Sequence, residues 1–186
     1  DINKDGLTDI LFTGNMVSAR LYLNTGKMQF EDITEKAGLQ TSGWCYGASV
    51  VDINQDGYPD IYICKAGNRK TPADSMHNLF FINNGFPHSP KGESLSRQVG
   101  SRGEVTFTES AKKLGLDDDG YDIQSTFLDY DHDGDLDMYL LRNSFVNYNR
   151  NTVRVKELEG GATSTDRLYR NNGNGSFTNV SKEAGI

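Results

Sequence analysis

Asp52-Ile53-Asn54-Gln55-Asp56-Gly57-Tyr58-Pro59-Asp60-Ile61-Tyr62 is the stretch on which the reading of this chain turns. It occurs twice more, as Asp1-Ile2-Asn3-Lys4-Asp5-Gly6-Leu7-Thr8-Asp9-Ile10-Leu11 and as Asp129-Tyr130-Asp131-His132-Asp133-Gly134-Asp135-Leu136-Asp137-Met138-Tyr139. Every copy carries oxygen-bearing side chains at loop positions 1, 3, 5 and 9, glycine at position 6, and an apolar residue after position 9. Carboxylates crowded in this way repel one another unless a cation sits among them. Hard oxygen donors at alternate positions of a tight turn suit calcium, which takes about six to eight oxygens in flexible geometry; magnesium demands a smaller octahedral shell. The glycine permits a sharp turn that aims the carbonyl of position 7 at the same ion. The expected side-chain donors are therefore Asp1, Asn3, Asp5 and Asp9, then Asp52, Asn54, Asp56 and Asp60, then Asp129, Asp131, Asp133 and Asp137. Leu7, Tyr58 and Asp135 are the expected backbone donors. One Ca2+ per loop, about three in all, is the cofactor expectation.

An EF-hand is the obvious rival. That loop needs a Glu at position 12 and helices on both flanks. Here position 12 is Phe12, Ile63 and Leu140, and the flanks Ala48-Ser49-Val50-Val51 and Ile61-Tyr62-Ile63 read as strands. The plainer alternative is an acidic surface turn, since Asp, Asn and Gly favour turns for local reasons. One copy would leave that open; three copies with the same donor spacing favour calcium.

The repeat extends beyond the loop. Each loop is followed by an aromatic strand ending in Asn and a Gly turn: Arg20-Leu21-Tyr22-Leu23-Asn24-Thr25-Gly26, Leu79-Phe80-Phe81-Ile82-Asn83-Asn84-Gly85 and Arg167-Leu168-Tyr169-Arg170-Asn171-Asn172-Gly173. A strand entering a short helical turn comes next, starting at Phe30, Phe107 and Phe177 and closing on Gly38, Gly115 and Gly185, each glycine a suitable helix C-cap. Asp52 follows Asp1 by 51 residues and Asp129 follows Asp52 by 77, the excess lying in polar, glycine-rich insertions. One unit thus holds four strands, near Trp44–Val51, Asp60–Lys65, Leu79–Asn83 and Val105–Glu109.

A four-stranded unit recurring at about 50 residues fits a β-propeller blade. The expected fold class is all-β, a partial propeller of about three blades. Blade a covers 1–42, blade b 43–119 and blade c 120–186. A β-sandwich with decorated turns explains the short strands but not the period. Val50 and Phe127 are expected to pack between neighbouring blades. Blade a lacks an opening strand, and three blades cannot close a ring, so the remaining blades are expected from the parent chain or another copy.

The 186 residues carry a formal net charge of −7 and 20 glycines. Loop carboxylates supply much of the acidity, and no Lys/Arg patch suggests a nucleic-acid partner. No apolar run reaches transmembrane length, so membrane insertion is not expected. Cys45 and Cys64 are expected as two buried free thiols. The simplest hairpin register pairs Val51 with Ile61 and Ser49 with Ile63, which puts the two cysteines on opposite faces.

These loops resemble the calcium-binding loops of FG-GAP/VCBS repeat proteins, the blades of integrin α-chain propellers. The phrases Gly43–Tyr62 and Gly120–Tyr139, with Asn-Asn-Gly and the Phe-to-Gly-Leu/Ile elements, look most like the branch found with ASPIC/UnbV-type domains and in cartilage acidic-type proteins. The resemblance covers nearly all the chain except the insertions. It implies calcium at the side chains and carbonyls named above, a parent propeller of about six or seven blades, and a secreted, periplasmic or cell-surface setting. It implies no single activity. The Phe-Gly opening of the first strand is altered to Tyr46-Gly47 in one blade and Ile123-Gln124 in the other.

Loops that are saturated by their own ligands leave little room for a substrate, so the metal sites read as structural. Recognition of a protein or glycan partner then falls to the blade-connecting loops. Trp44 and Tyr121 align one residue after Gly43 and Gly120, at the end opposite the metal loops, and could stack on a sugar or anchor a protein; either could equally be packing. Arg142, Phe145, Tyr148 and Arg150 in the last insertion are further ligand-binding candidates. His77, His88 and His132 are scattered, and no nucleophile elbow, H-E-x-x-H or phosphate loop occurs. No catalytic residues are assigned, and the chain reads as non-catalytic. The alternative is an accessory part of a secreted polysaccharide-active enzyme, a lyase or glycosidase.

Overall fold

The computed structural model describes residues 1–67, 70–85, 104–143 and 165–186. Those residues form three antiparallel sheets. The first holds β1 (Ile10–Phe12), β2 (Arg20–Gly26) and β3 (Gln29–Asp32). The second runs β4 (Trp44–Val51), β5 (Asp60–Ala66), β6 (Leu79–Asn83) and β7 (Phe107–Glu109) in order of sequence. The third repeats that order with β8 (Asp122–Leu128), β9 (Asp137–Arg142), β10 (Arg167–Asn171) and β11 (Phe177–Asn179). The second and third sheets are followed and closed, respectively, by one-turn helices, α1 (Ala111–Leu114) and α2 (Ser181–Ala184). Each helix stops at a left-handed glycine, Gly115 at φ 78° and Gly185 at φ 75°, whose N–H returns to the last turn. The architecture is all-β, and the strand limits follow the sequence expectation to within two residues.

The second sheet lies between the other two, which explains its composition. Every residue of β5 is buried. With period-two alternation, Ile61 and Ile63 join a core with Leu21, Leu23, Leu39 and Phe107, while Tyr62 and Cys64 join another with Phe80, Leu116, Met138 and Leu140. Such a strand is apolar on both faces between its charged ends, Asp60 and Lys65, unlike one that faces water on one side. Tyr62 packs edge-on against Phe80 at 5.3 Å and Phe127 at 6.1 Å between ring centroids, and its hydroxyl donates to the Leu116 carbonyl at 2.9 Å. Each aromatic contact contributes about 0.5–1.5 kcal/mol beyond area burial.

Two expectations need correction. The β4–β5 hairpin pairs Val51 with Asp60, Val50 with Ile61, Ser49 with Tyr62 and Ala48 with Ile63, one step from the simple register. The third sheet does the same, pairing Leu128 with Asp137. Asp60 and Asp137 are the first strand residues as well as the last loop residues. Val50 is 59% exposed, whereas Phe127, at the same place in the next repeat, packs on Tyr62 and Phe80. Phe127 has β4–β7 beside it, but Val50 faces the first sheet, which has no counterpart of β4 among the described residues. The altered Tyr46-Gly47 and Ile123 positions coincide with register shifts in β4 and β8. Both cysteines are free and buried.

Candidate metal-binding loops

The three acidic loops fold alike because each uses its own carboxylates to hold its backbone. The position 1 side chain accepts from the N–H groups of positions 5 and 6: Asp1 from Asp5 and Gly6 at 3.0 and 2.9 Å, Asp52 from Asp56 and Gly57 at 3.1 and 2.7 Å, Asp129 from Asp133 and Gly134 at 3.1 and 3.2 Å. The position 5 carboxylate accepts from position 7 in all three copies. The turn needs a left-handed residue at position 6, met by Gly6, Gly57 and Gly134 at φ 85°, 85° and 94°.

Position 9 has a second role that sequence spacing did not reveal. One oxygen accepts the N–H of position 2, at 2.7 Å for Ile2 on Asp9, 3.1 Å for Ile53 on Asp60 and 3.0 Å for Tyr130 on Asp137. The other accepts the N–H of an Asn at or near the end of the second strand after the loop, at 2.8 Å from Asn24, 2.7 Å from Asn83 and 2.8 Å from Asn171. That Asn side chain donates to the position 8 carbonyl, of Thr8, Pro59 or Leu136, and accepts from Gly26, Gly85 or Gly173. The recurring Asn-x-Gly of the sequence is the signal for this lock. In the second and third loops the carboxylate that fills it is costly to ionise. Burial, opposed by the two backbone donors and assisted by Asp56 and Asp52, pushes Asp60 up to about 6; burial also raises Asp137.

The loops differ at position 3. Asn3 donates to Asp5 Oδ2 at 3.0 Å and Asn54 to Asp56 Oδ2 at 2.9 Å, so a neutral amide relieves one carboxylate oxygen. The third loop has Asp131 there, which offers no donor. Asp129, Asp131 and Asp137 each bring a carboxylate oxygen to within 4.8 Å of the others. Asp135 Oδ1 is buried with no hydrogen-bond partner, and burial, together with Asp133 and Asp137, raises that carboxyl. An acidic triad with an orphaned neighbouring oxygen is a hard-donor set with no ion-pair partner among the described residues, and it could coordinate a metal ion.

The expected recognition residues sit at the other end of the strands. Trp44, half-buried, opens β4, and Asn15 bridges to it. Tyr121 is half-buried directly before β8, and its carbonyl accepts from Asn143. Arg142 is interior: its Nε donates to Asp122 at 2.8 Å and its Nη2 to Asp118. Phe145, Tyr148, Arg150 and His88 lie outside the described residues.

That Arg142 cluster is the site sequence reasoning missed. Asp118 also accepts from Tyr169 Oη at 2.5 Å and from Gly120 N at 3.1 Å. Asn78, directly before β6, donates to Asp122 at 2.8 Å and accepts from Lys65 N at 2.6 Å. Burial would raise the Asp118 carboxyl, but the Tyr169 hydrogen bond and the Arg142 charge outweigh it and hold it below its ordinary value. Burial prevails at Asp122, which is raised.

Residues 1–63 match the family model described as FG-GAP-like repeat. The match spans about a third of the chain and supports membership of the FG-GAP repeat family in general. No curated protein matches the chain. Among the described residues no helix is long and apolar enough to cross a membrane.

Proposed function

We propose that the chain is a calcium-stabilised interaction module, three blades (1–42, 43–119 and 120–186) of an FG-GAP/VCBS-type β-propeller completed by further blades of its parent chain or another copy. The reading assigns one Ca2+ to each acidic loop, held by the side chains at positions 1, 3, 5 and 9 and by the position 7 carbonyl. The ion would neutralise the clustered carboxylates and tie the two strands each loop joins. The observation that carries this is the Asp129–Asp131–Asp137 triad beside the unpartnered Asp135 oxygen, set in a loop whose backbone pattern recurs twice. Ligands that must be ordered before they coordinate turn binding energy into folding energy.

The connecting loops at the opposite end, around Trp44 and Tyr121, are the proposed contact surface for a protein or glycan outside the cytoplasm: secreted, periplasmic or at the cell surface. Calcium titration by isothermal calorimetry, paired with melting of metal-stripped protein, tests the first half. Saturable binding near three equivalents with a raised melting temperature is expected; no binding at millimolar calcium overturns it. A glycan array and a cell-surface pull-down test the second half. Turnover of a polysaccharide would instead place the chain with an enzyme.

A further inference from the structure

Position 4 of every acidic loop holds a residue with a Cβ in the left-handed region: Lys4 at φ 57°, Gln55 at 56° and His132 at 64°. That conformation costs a non-glycine residue roughly 1 kcal/mol or more, and glycine or asparagine would suit it better. A long side chain kept at a strained position calls for a compensating contact, and for two loops the contact is present. Lys4 Nζ stands 4.2 Å from the centroid of the Tyr58 ring and fills the space that a Cβ on Gly57 would need. Gln55 Nε2 donates to the Gly134 carbonyl at 3.0 Å. The two contacts share one geometry. The left-handed turn throws the side chain out of its own loop and onto position 6 or 7 of the next. Those positions are the glycine turn and the residue whose carbonyl is an expected cation donor.

We propose that the position 4 side chains couple the cation sites, so that filling one loop tightens its neighbour. A cation orders its own loop and the left-handed residue within it, and the side chain of that residue steadies the donor turn of the following loop. Coupling of this kind is reciprocal in free energy, so the second and third loops each raise the affinity of the other. The inference rests on the calcium reading above and adds to it a named link, Lys4 from the first loop to the second and Gln55 from the second to the third.

The test follows the Gly57 and Gly134 amide resonances of the full chain through a calcium titration, which reads the second and third loops separately. The substitution Gln55→Gly removes the link and also the backbone strain. It is expected to move the Gly134 midpoint to about fivefold higher calcium and to flatten the titration. Gln55→Lys, which keeps a donor of similar reach, is expected to stay near the parent. Asp56→Ala, which disables the second loop, should weaken the third in the parent but not in the Gln55→Gly background. If calcium fills all loops and the Gly134 midpoint is the same with and without the Gln55 side chain, the coupling is overturned while the calcium reading stands. If no loop responds to calcium, both fall.

Discussion

The second and third sheets meet at two ends that solve the same problem in opposite ways. Each end brings several carboxylates together. At the Arg142 end the countercharge is part of the chain: the guanidinium lies between Asp118 and Asp122, with Tyr169 and Asn78 filling other acceptor positions. At the loop end the hydrogen bonds to Asp52, Asp56, Asp60, Asp129, Asp133 and Asp137 come, among the described residues, from backbone N–H groups and one asparagine amide. A buried carboxylate with a fixed cation is complete at all times. A carboxylate cluster without one, such as Asp129, Asp131 and Asp137, could coordinate a metal ion from solution.

Removing the fixed cation should have the largest effect. Arg142→Ala leaves Asp118 and Asp122 buried without their partner, and a loss of about 3–5 kcal/mol is expected. Urea denaturation should show it equally with and without calcium; a calcium-dependent loss would blur the distinction between the ends. The loop end divides into two kinds of ligand. Asp60→Ala strands the buried N–H groups of Ile53 and Asn83, so about 2–4 kcal/mol should vanish even from metal-stripped protein. Asp56 is exposed. Asp56→Ala should change metal-stripped protein by less than about 1 kcal/mol and lower the melting temperature mainly in calcium. A melting temperature in calcium equal to that of the parent would count against cation binding at that loop.

Asp60 and Asp118, one from each end, should also answer pH with different signs. Asp60 is pushed up to about 6 from an ordinary 3.8, so the folded metal-free protein binds its proton more tightly than the unfolded chain does. That contribution is fully present below about 3.8 and is lost as pH rises through about 6. Asp118, held below its ordinary value, contributes stability above that value and loses it only on further acidification. Metal-stripped protein is therefore expected to be less stable at neutral pH than near pH 5 by urea midpoint, and calcium should remove the difference. The smallest effect is expected from Asp131→Asn, which gives the third loop the amide of the first two. About 0.5–1 kcal/mol should be gained in metal-stripped protein, from a new hydrogen bond and one less repulsion, together with weaker calcium affinity.

Much of the architecture was readable because it is local. The acidic spacing, the Asn-x-Gly turns, the strand limits and the Gly115 and Gly185 caps are each set within a few residues, where side-chain chemistry and backbone conformation leave little choice. The hairpin register differs by one residue from the simplest pairing, Val51 with Ile61, because Asp60 itself pairs with Val51. Its carboxylate also accepts the amide of Asn83, 23 residues later, and that bond draws it into the strand. The Arg142 cluster was invisible for the same reason on a larger scale, since Asp118 meets Arg142 and Tyr169 across separations of 24 and 51 residues with no periodic signature.

Val50 and Phe127 mark the boundary between the two kinds of information. Their repeat positions are equivalent, so the sequence assigned them one role. Burial depends on what stands opposite, and only the packing of one sheet on the next decided that Phe127 is covered while Val50 meets solvent. The sequence determined the loops and the four-strand repeat, because hydrogen bonds and turn conformations are settled by near neighbours. The tertiary structure alone decided the register, the buried ion cluster and the contacts from loop to loop, because each depends on residues brought together from different repeats.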